Sequence, residues 1–200
     1  MTRMPVLKTE QLLIRPFVMD DLAQVYRLLD VELRTGDPIA GEAETLMRRA
    51  QWLHWTVLGY EQQAYLRQPP YGDRAVVLER PGQVIGACGL VPCLGPFAQL
   101  PGFSSGRGGG DPLLWSTEVG LFYAISPAHQ RRGYATEAAR ALIDHAWQQL
   151  HLSRVIAMTT RANAASVAIM RKLGMRILEN PLPEPQWLQV VGVCGHGGAN

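Results

Sequence analysis

The first 90 residues combine short apolar runs, which are typical of strands, with longer segments in which apolar positions recur at helical spacing. Apolar Leu12 and Ile14 alternate with polar neighbours, which predicts a strand that stops near Pro16. Two later segments repeat apolar positions every three or four residues, as amphipathic helices do. A Pro-Gly turn then joins two apolar runs, which predicts an antiparallel hairpin. The expected order is strand 7–17, helix 22–29 capped by Asp20 or Asp21, helix 42–66, and hairpin strands 75–78 and 84–90.

The segment 116–148 joins a strand to a helix through a basic loop. Its apolar run 119–125 ends at Ser126-Pro127, which neither a strand nor a helix interior accepts easily. The alanine-rich residues after Gly133 recur at helical spacing and predict a helix. We interpret 130–135 as a strand-to-helix turn at the start of that helix.

The last quarter of the chain predicts three further strands and one helix. We expect a strand at 154–159, a helix at 164–173 capped by Asn163, and strands at 175–178 and 187–193. Gly174 stands where a helix C-terminus favours a positive φ. Strands interspersed with helices and closed by two late strands predict an α/β (α+β) domain with a mixed, mainly antiparallel sheet flanked by helices.

The domain organisation follows from composition. We expect a single domain over 1–194, a flexible Gly/Pro-rich loop at 94–112, and a frayed tail at 195–200. The loop is interpreted either as a mobile flap beside an acceptor site or as a tolerated disordered insertion.

Length, charge and cysteine content limit the function classes. The 200 residues are 47% hydrophobic and carry a net charge of +2, which suits one domain with a sizeable core and gives no case for a nucleic-acid partner. Cys88, Cys93 and Cys194 lack paired metal spacing, so we expect reduced thiols, no metal and a cytoplasmic protein. No signal peptide or membrane helix is predicted.

The basic loop has chemistry suited to an anion. The first turn of a helix leaves backbone N–H groups unpaired and carries partial positive charge, so a phosphate fits there. Arg131 and Arg132 add donors, and Gly133 lets the backbone approach a bulky ligand closely. The alternative is a solvated arginine pair before a helix, with Gly133 as an ordinary turn residue.

Three blocks in order resemble the GNAT superfamily of N-acetyltransferases. Gln130-Arg131-Arg132-Gly133-Tyr134-Ala135 resembles its Q/R-x-x-G-x-G/A acyl-CoA loop, and Gly133 to Ala138 is similar to the G-Y-A-T-E-A of the RimJ/RimL-like branch. The second block is 7–17, which is like that branch's opening T-E-x-L-x-L-R strand. The third resembles the branch's strand, N-x-x-S helix start and K-L-G-F ending, and consists of Arg154-Val155-Ile156-Ala157, Asn163-Ala164-Ala165-Ser166 and Lys172-Leu173-Gly174-Met175. The resemblance covers most of the chain.

The resemblance implies a GNAT-like sheet whose splayed central strands admit acetyl-CoA. It assigns an oxyanion-binding role to backbone N–H groups around Tyr123, Ala124 and Ile125. It assigns cofactor binding to the loop and helix start, Gln130, Arg131, Arg132, Gly133, Tyr134, Ala135 and Thr136. Asn163 would hold the pantetheine arm and Ser166 would protonate the leaving thiolate, although a helix cap and a first-turn serine explain both residues structurally. Arg161 is a weaker candidate.

Glu118 is the candidate general base. Glu118-Val119-Gly120 resembles the family's E-I-G, although counting back from Pro127 without a gap places the family's glutamate at Gly120. The two positions share one face of a regular strand, about 7 Å apart. A bulge or a bridging water would absorb this offset. The alternative is a surface glutamate in a cross-strand ion pair.

The leading hypothesis is an acetyl-CoA-dependent N-acetyltransferase, acting as a monomer or homodimer on the N-terminal amine of a protein or peptide. A small amine, such as an aminoglycoside, polyamine or amino acid, is the enzymatic alternative. A non-catalytic acyl-CoA-binding sensor is the alternative from another class. A nucleic-acid-binding module ranks last, because the basic excess and stacking aromatics of such proteins are lacking.

Overall fold

The structure, a computed structural model, describes residues 4–35, 41–103, 111 and 113–198. The strands are β1 (Leu7–Lys8), β2 (Leu12–Pro16), β3 (Gly72–Leu78), β4 (Val84–Gly95), β5 (Ser116–Ile125), β6 (Arg154–Thr159), β7 (Arg176–Glu179) and β8 (Val190–Gly195). The helices are α1 (Leu22–Tyr26), α2 (Glu42–Tyr65), α3 (Tyr134–Gln148) and α4 (Ala164–Lys172). No helix within these described ranges is long and apolar enough to span a membrane.

The eight strands form one sheet in the order β1-β2-β3-β4-β5-β6-β8-β7. Antiparallel registers pair β1 with β2, β2 with β3, β6 with β8 and β7 with β8. By contrast, β5 and β6 run parallel and are in register at one position, Gly120 opposite Ile156. The sheet is therefore mixed and mainly antiparallel, as predicted. A single paired position also fits the splay of the central strands that the resemblance implies.

The chain divides into two compact units. The first comprises Met1–Gly89 and Tyr123–Ala141, and the second comprises Leu90–Phe122 and Leu142–Asn200. Alternation along β2 buries Leu12 and Ile14 in the first unit. Strand β3 buries four consecutive residues, among them Val76, and α2 adds Leu53. The prediction of a single domain stays a prediction.

The second unit has a core in which part of the expected flexible loop takes part. Phe97, Leu100 and Phe103 are buried and pack with β6 and β8 residues such as Ile156 and Val191. Leu94 and Gly95 continue β4, so the prediction of a flexible loop is wrong for 94–103. The free energy gained by burying the apolar side chains of this segment exceeds the entropic cost of ordering its backbone. Residues 104–110 and 112 lie outside the described residues.

Other boundaries also differ from the sequence expectation. Strands β3 and β8 begin at Gly72 and Val190, where the sequence predicted starts at 75 and 187. Strand β8 extends to Gly195, opposite Arg154, and the His196 N–H donates to the Ser153 carbonyl at 3.0 Å, so the expectation of a frayed tail is not met at 195 and 196. The predicted helix at 22–29 exists as α1 followed by a π-helical stretch, Arg27–Glu32, whose wider winding brings the Leu33 N–H to the Leu28 carbonyl.

The expected acidic cap of α1 is also replaced. The Asp21 carboxylate makes no capping bond to α1 and instead binds Arg15 through two contacts of 2.7 Å. It also accepts the Val18 N–H at 2.9 Å. A two-point bond to the cationic guanidinium is stronger than a single bond to a backbone N–H, which explains why Asp21 binds Arg15.

Candidate functional site

The basic loop follows β5 in the first unit and is held by its own backbone. A short 3-10 turn, Pro127–His129, begins it, and His129 N–H donates to the Ser126 carbonyl at 2.8 Å. The Gln130 amide donates inward to the Ile125 carbonyl at 2.9 Å. Gln130 therefore fixes the loop against the strand end, a contact that supports a positioning role.

Two residues of the loop have left-handed backbone conformations. Arg131 has φ 61° and Gly133 has φ 88°, and such turns aim successive N–H groups outward as an anion-binding concavity. Arg131 and Arg132 are exposed, and neither guanidinium forms an ion pair with the described residues. No atom lies within 4 Å of where a Gly133 side chain would begin. The loop thus presents positive charge and unfilled space.

Helix α3 begins immediately after this loop. The Glu137 N–H donates to the Gly133 carbonyl at 3.0 Å, which closes the first turn. Tyr134 is buried, whereas Ala135 and Thr136 are half-buried. The early N–H groups of α3 thus directly follow the basic loop in the chain, at the helix end where an anion gains from the helix dipole.

Sequence reasoning did not single out Glu137, which anchors this helix start. Its carboxylate accepts hydrogen bonds from the Thr9 hydroxyl at 2.6 Å and from the Gln11 backbone and side-chain amides at 3.0 Å. Thr9 and Glu137 belong to two of the blocks that carry the GNAT resemblance. Their contact joins the two blocks in the folded chain and holds the start of α3 against the turn before β2.

The end of β5 lies close to β4 in the first unit. A side chain at Gly86 would begin 2.5 Å from the Ala124 carbonyl oxygen, so only glycine permits this approach. Ser126 N–H donates to the Ile85 carbonyl at 2.8 Å. These contacts fix the strand that carries Tyr123, Ala124 and Ile125. Their oxyanion role stays a prediction.

Glu118, in the second unit, is buried and forms an ion pair with the partly exposed Arg154. Its Oε2 accepts from Arg154 Nε at 2.9 Å, and its Oε1 is bonded to Arg154 Nη2. The Arg154 guanidinium also lies 4.4 Å from the Phe103 ring centroid. The cross-strand ion pair foreseen as the alternative is therefore present, although its glutamate is buried and not on the surface. The general-base role stays a prediction that would require one oxygen to be released.

Cys93 lies beside this pair. Its thiol donates to the Glu118 carbonyl at 3.4 Å, and burial, followed by the Glu118 charge, raises its pKa to about 11. At neutral pH it is thus a protonated thiol, which is a poor nucleophile. Cys88, Cys93 and Cys194 form no disulfide with one another, in line with the expectation of reduced thiols.

Asn163 and Ser166 meet at the start of α4, also in the second unit. The Asn163 side-chain Oδ1 accepts the Ser166 N–H at 3.1 Å, so Asn163 caps the helix as predicted. Asn163 is exposed and Ser166 is half-buried. The cap occupies the side-chain oxygen of Asn163 and leaves its amide NH₂ available for a ligand carbonyl.

Arg161 is engaged elsewhere in the second unit. It donates to the Asn180 carbonyl at 2.6 Å and lies 3.5 Å from the Glu179 carboxylate. It borders a pocket of about 250 Å³ lined also by Arg171 and by apolar Val167, Ile177 and Val190. Within the described ranges no group of three His, Cys, Asp or Glu side chains could hold a metal ion.

The predicted site residues thus form three groups. The first unit brings together the end of β5, the basic loop and the start of α3. The second unit holds Glu118 with Arg154, and separately Asn163 with Ser166. The first group can bind a phosphate, and the last offers polar groups to an amide-containing chain.

Comparison with known proteins agrees with these features. The chain is 37% identical over 59 residues to the uncharacterised N-acetyltransferase YnaD of Bacillus subtilis, covering 30% of this chain and 34% of that protein. The match therefore spans about a third of that relative's length.

Solved structures share the fold along nearly the whole chain. An acetyltransferase from Agrobacterium tumefaciens superposes with a TM-score of 0.66 at 22% identity, covering 97% of this chain and 96% of that one. The ribosomal-protein-S5-alanine acetyltransferase of Vibrio fischeri gives 0.65 at 14% identity, covering 98% and 99%. The family model described as an acetyltransferase (GNAT) domain matches residues 11–176. This chain therefore belongs to the GNAT acetyltransferase family.

Proposed function

We propose that this protein is an acetyl-CoA-dependent N-acetyltransferase acting on a primary amine. One observation supports this most directly: the exposed Arg131-Arg132-Gly133 turn, with positive φ at Arg131 and Gly133, opens onto the first turn of α3. In the proposed complex the pyrophosphate of acetyl-CoA binds there, and both guanidinium groups offset its charge.

The reaction that we propose is direct attack of a neutral amine on the acetyl thioester. Backbone N–H groups of Tyr123, Ala124 and Ile125 stabilise the tetrahedral oxyanion. The Asn163 NH₂ binds a pantetheine carbonyl, and Ser166 protonates the departing thiolate. Tyr134, Ala135 and Thr136 form the cofactor side of the helix start. The half-buried position of Ser166 and the free amide edge of Asn163 support these roles.

The acceptor that we propose is the N-terminal amine of a protein or peptide. The shared fold with the ribosomal-protein-S5-alanine acetyltransferase of Vibrio fischeri supports this choice. A polycationic small molecule would need several unpaired acidic side chains in one pocket. Glu44 is paired with Arg48, and Glu179 lies 3.5 Å from Arg161, which reduces the acidic surface available for such a ligand.

An acetyl-transfer assay over four amine classes tests the proposal. Purified protein and acetyl-CoA are incubated with free-N-terminus decapeptides beginning with Ala or Ser, spermidine, kanamycin and free amino acids, and products are identified by mass spectrometry. We expect acetylated peptide. Turnover of a small amine alone would correct the acceptor, and acetyl-CoA binding without any turnover would favour the acyl-CoA sensor. An Arg131→Ala/Arg132→Ala variant, which lacks the charges proposed to bind the pyrophosphate, is assayed beside the wild type. It should lose activity at low acetyl-CoA concentration.

A further inference from the structure

Asp73 is an acidic side chain at the start of β3 that no role described above uses. The residue is half-buried in the first unit, and its carboxylate forms no hydrogen bond or ion pair with any described residue. Carboxylates removed from water normally acquire a partner. This carboxylate is therefore available to a cation that arrives from outside.

The backbone around Asp73 is held rigidly. The Tyr60 hydroxyl of α2 donates to the Asp73 carbonyl and accepts the Phe17 N–H at 3.0 Å. Phe17 in turn packs edge-on against Trp52, with ring centroids 5.6 Å apart. The carboxylate is thus carried on a strand whose position two other elements fix, which a binding group requires.

The nearest opposing charge is already engaged. Arg49 of α2 binds Asp30 through contacts of 2.7 and 2.9 Å and lies 4.9 Å from the Trp52 ring centroid. It attracts Asp73 only through space. Burial accordingly outweighs Arg49 and raises the pKa of Asp73 to about 6. One arginine thus faces two aspartates, and the negative charge of Asp73 is left for another cation.

The other charged groups around Asp73 do not neutralise it. Arg74, the next residue, is buried and donates to the Pro5 carbonyl, and burial lowers its pKa. The Cys88 thiol of β4 and the Tyr60 phenol of α2 are kept protonated by burial, which raises the pKa of each. Arg15 and Asp21, beside the start of α1, are paired with each other.

The strand registers place Asp73 in one row with the proposed oxyanion-binding strand. Leu78 N–H donates to the Gln83 carbonyl at 3.0 Å, which places Leu78 opposite Gln83. Because the two strands of a hairpin run in opposite directions, five residues back along β3 and five forward along β4 bring Asp73 opposite Cys88. Ser126 N–H donates to the Ile85 carbonyl at 2.8 Å, and three further steps bring Cys88 opposite Tyr123. Strands lie about 4.8 Å apart, so the Asp73 backbone lies about 10 Å from Tyr123.

We propose that the Asp73 carboxylate receives the ammonium group of the acceptor and takes up the proton that the amine must lose before it attacks the thioester. This inference rests on the proposed function and names its base. The proton passes to Asp73 directly or through one water, which a separation of this size accommodates. A C–N bond then forms at the acetyl carbon and the C–S bond breaks. Ser166 gives its proton to the CoA thiolate and regains one from the second proton that the nitrogen releases.

The test compares Asp73→Asn, Asp73→Glu and a matched control, Asp144→Asn, which removes a carboxylate from the exposed face of α3. Acetyl transfer is measured from pH 5 to 9 at saturating acetyl-CoA, with the amine that gives the most product in the four-class assay. Acetyl-CoA affinity is measured by calorimetric titration of the same proteins. Circular dichroism confirms that each variant is folded.

The expected result separates a base from a structural residue. Asp73→Asn should lower kcat/KM at least ~100-fold and abolish the acidic limb of the pH profile near pH 6, with acetyl-CoA affinity unchanged. Asp73→Glu should recover part of the rate together with that limb, and Asp144→Asn should match the wild type.

Two other results overturn the inference, and they differ in what else they overturn. An active wild type whose rate and pH profile survive in Asp73→Asn removes the role of Asp73 and leaves the acetyltransferase assignment intact. A wild type that transfers acetyl to none of the amines removes the proposed function, and the role of Asp73 with it.

Discussion

Glu118 and Arg154 form a two-point ion pair across neighbouring strands, with Glu118 Oε2 accepting from Arg154 Nε at 2.9 Å. The family resemblance assigns Glu118 to catalysis, whereas the pair gives it a structural use. Both carboxylate oxygens are engaged, and Phe103 stacks on the guanidinium. Stability and rate measurements on the same variants therefore distinguish the two roles.

Arg154→Met should destabilise the fold more than Glu118→Gln does. The methionine variant leaves a buried carboxylate unpaired, at a cost of roughly 2–4 kcal/mol, whereas the glutamine variant leaves a partly exposed arginine and costs about 1–2 kcal/mol. Urea unfolding measures both. If Glu118→Gln keeps its stability and loses more than ~100-fold in kcat, Glu118 acts as a base and the structural account of this pair is wrong.

Asn163 provides a second separation of stability from binding. Asn163→Ala should cost about 1 kcal/mol because the α4 cap is lost, whereas Asn163→Asp should cap equally well and stay near wild-type stability. Both variants lack the amide NH₂, so both should bind acetyl-CoA more weakly. Thermal unfolding and calorimetric titration measure the two effects. Unchanged affinity in Asn163→Asp would leave Asn163 with capping alone.

Glu137 should prove more important for the loop than its place on a helix surface indicates. Glu137→Ala removes the acceptor of three hydrogen bonds from Thr9 and Gln11, so we expect a loss of about 1–3 kcal/mol and a looser start of α3. Acetyl-CoA affinity should fall severalfold. Asp144→Ala, on the same helix but exposed, is the control. A Glu137→Ala variant with wild-type affinity would show that the anchor does not shape the loop.

Asp73 makes stability depend on pH in a defined direction. Its pKa in the folded protein is raised from 3.8 to about 6, so the folded state holds this proton more tightly than the unfolded chain does. The resulting stability is fully present below about pH 4 and is lost as the pH rises through 6. Asp73→Asn should consequently be more stable than wild type at pH 7.5, on the order of 1–2 kcal/mol.

That advantage should vanish at pH 4, where both side chains are neutral. Urea unfolding at the two pH values checks this, with Asp144→Asn as the exposed control. A variant that is less stable than wild type at pH 7.5 would mean that Asp73 has a stabilising partner, which the structure does not show.

Much of the fold followed from local patterns. The bounds of β6 match the prediction, and α2 differs from it by one residue, because a continuous apolar period spans each element. Asn163 as a cap and Gly174 with φ 77° were also confirmed, since both depend on short-range backbone chemistry.

Long-range contacts could not be predicted from the sequence. Glu137 meets Thr9 across 128 positions, and nothing near either residue indicates the other. Phe97, Leu100 and Phe103 stand in a Gly/Pro-rich stretch, so their burial depends on β6 and β8, which come later in the chain. That the Asp73 carboxylate pairs with no described residue likewise depends on how the first unit packs.

The most direct test of the acyl-CoA assignment is calorimetric titration of acetyl-CoA into the wild type, Gly133→Glu, Gly133→Gln and Gly82→Glu. Gly82 shares with Gly133 a positive φ, 85° against 88°, and open space around its missing side chain, so Gly82→Glu reproduces the backbone strain away from the loop. Gly133→Gln reproduces the size without the charge.

We expect micromolar binding by the wild type and by Gly82→Glu, weaker binding by Gly133→Gln, and no measurable binding by Gly133→Glu, because a carboxylate there repels the pyrophosphate. Equal affinity in all four proteins, or no binding by the wild type, would contradict the placement of acetyl-CoA at this loop.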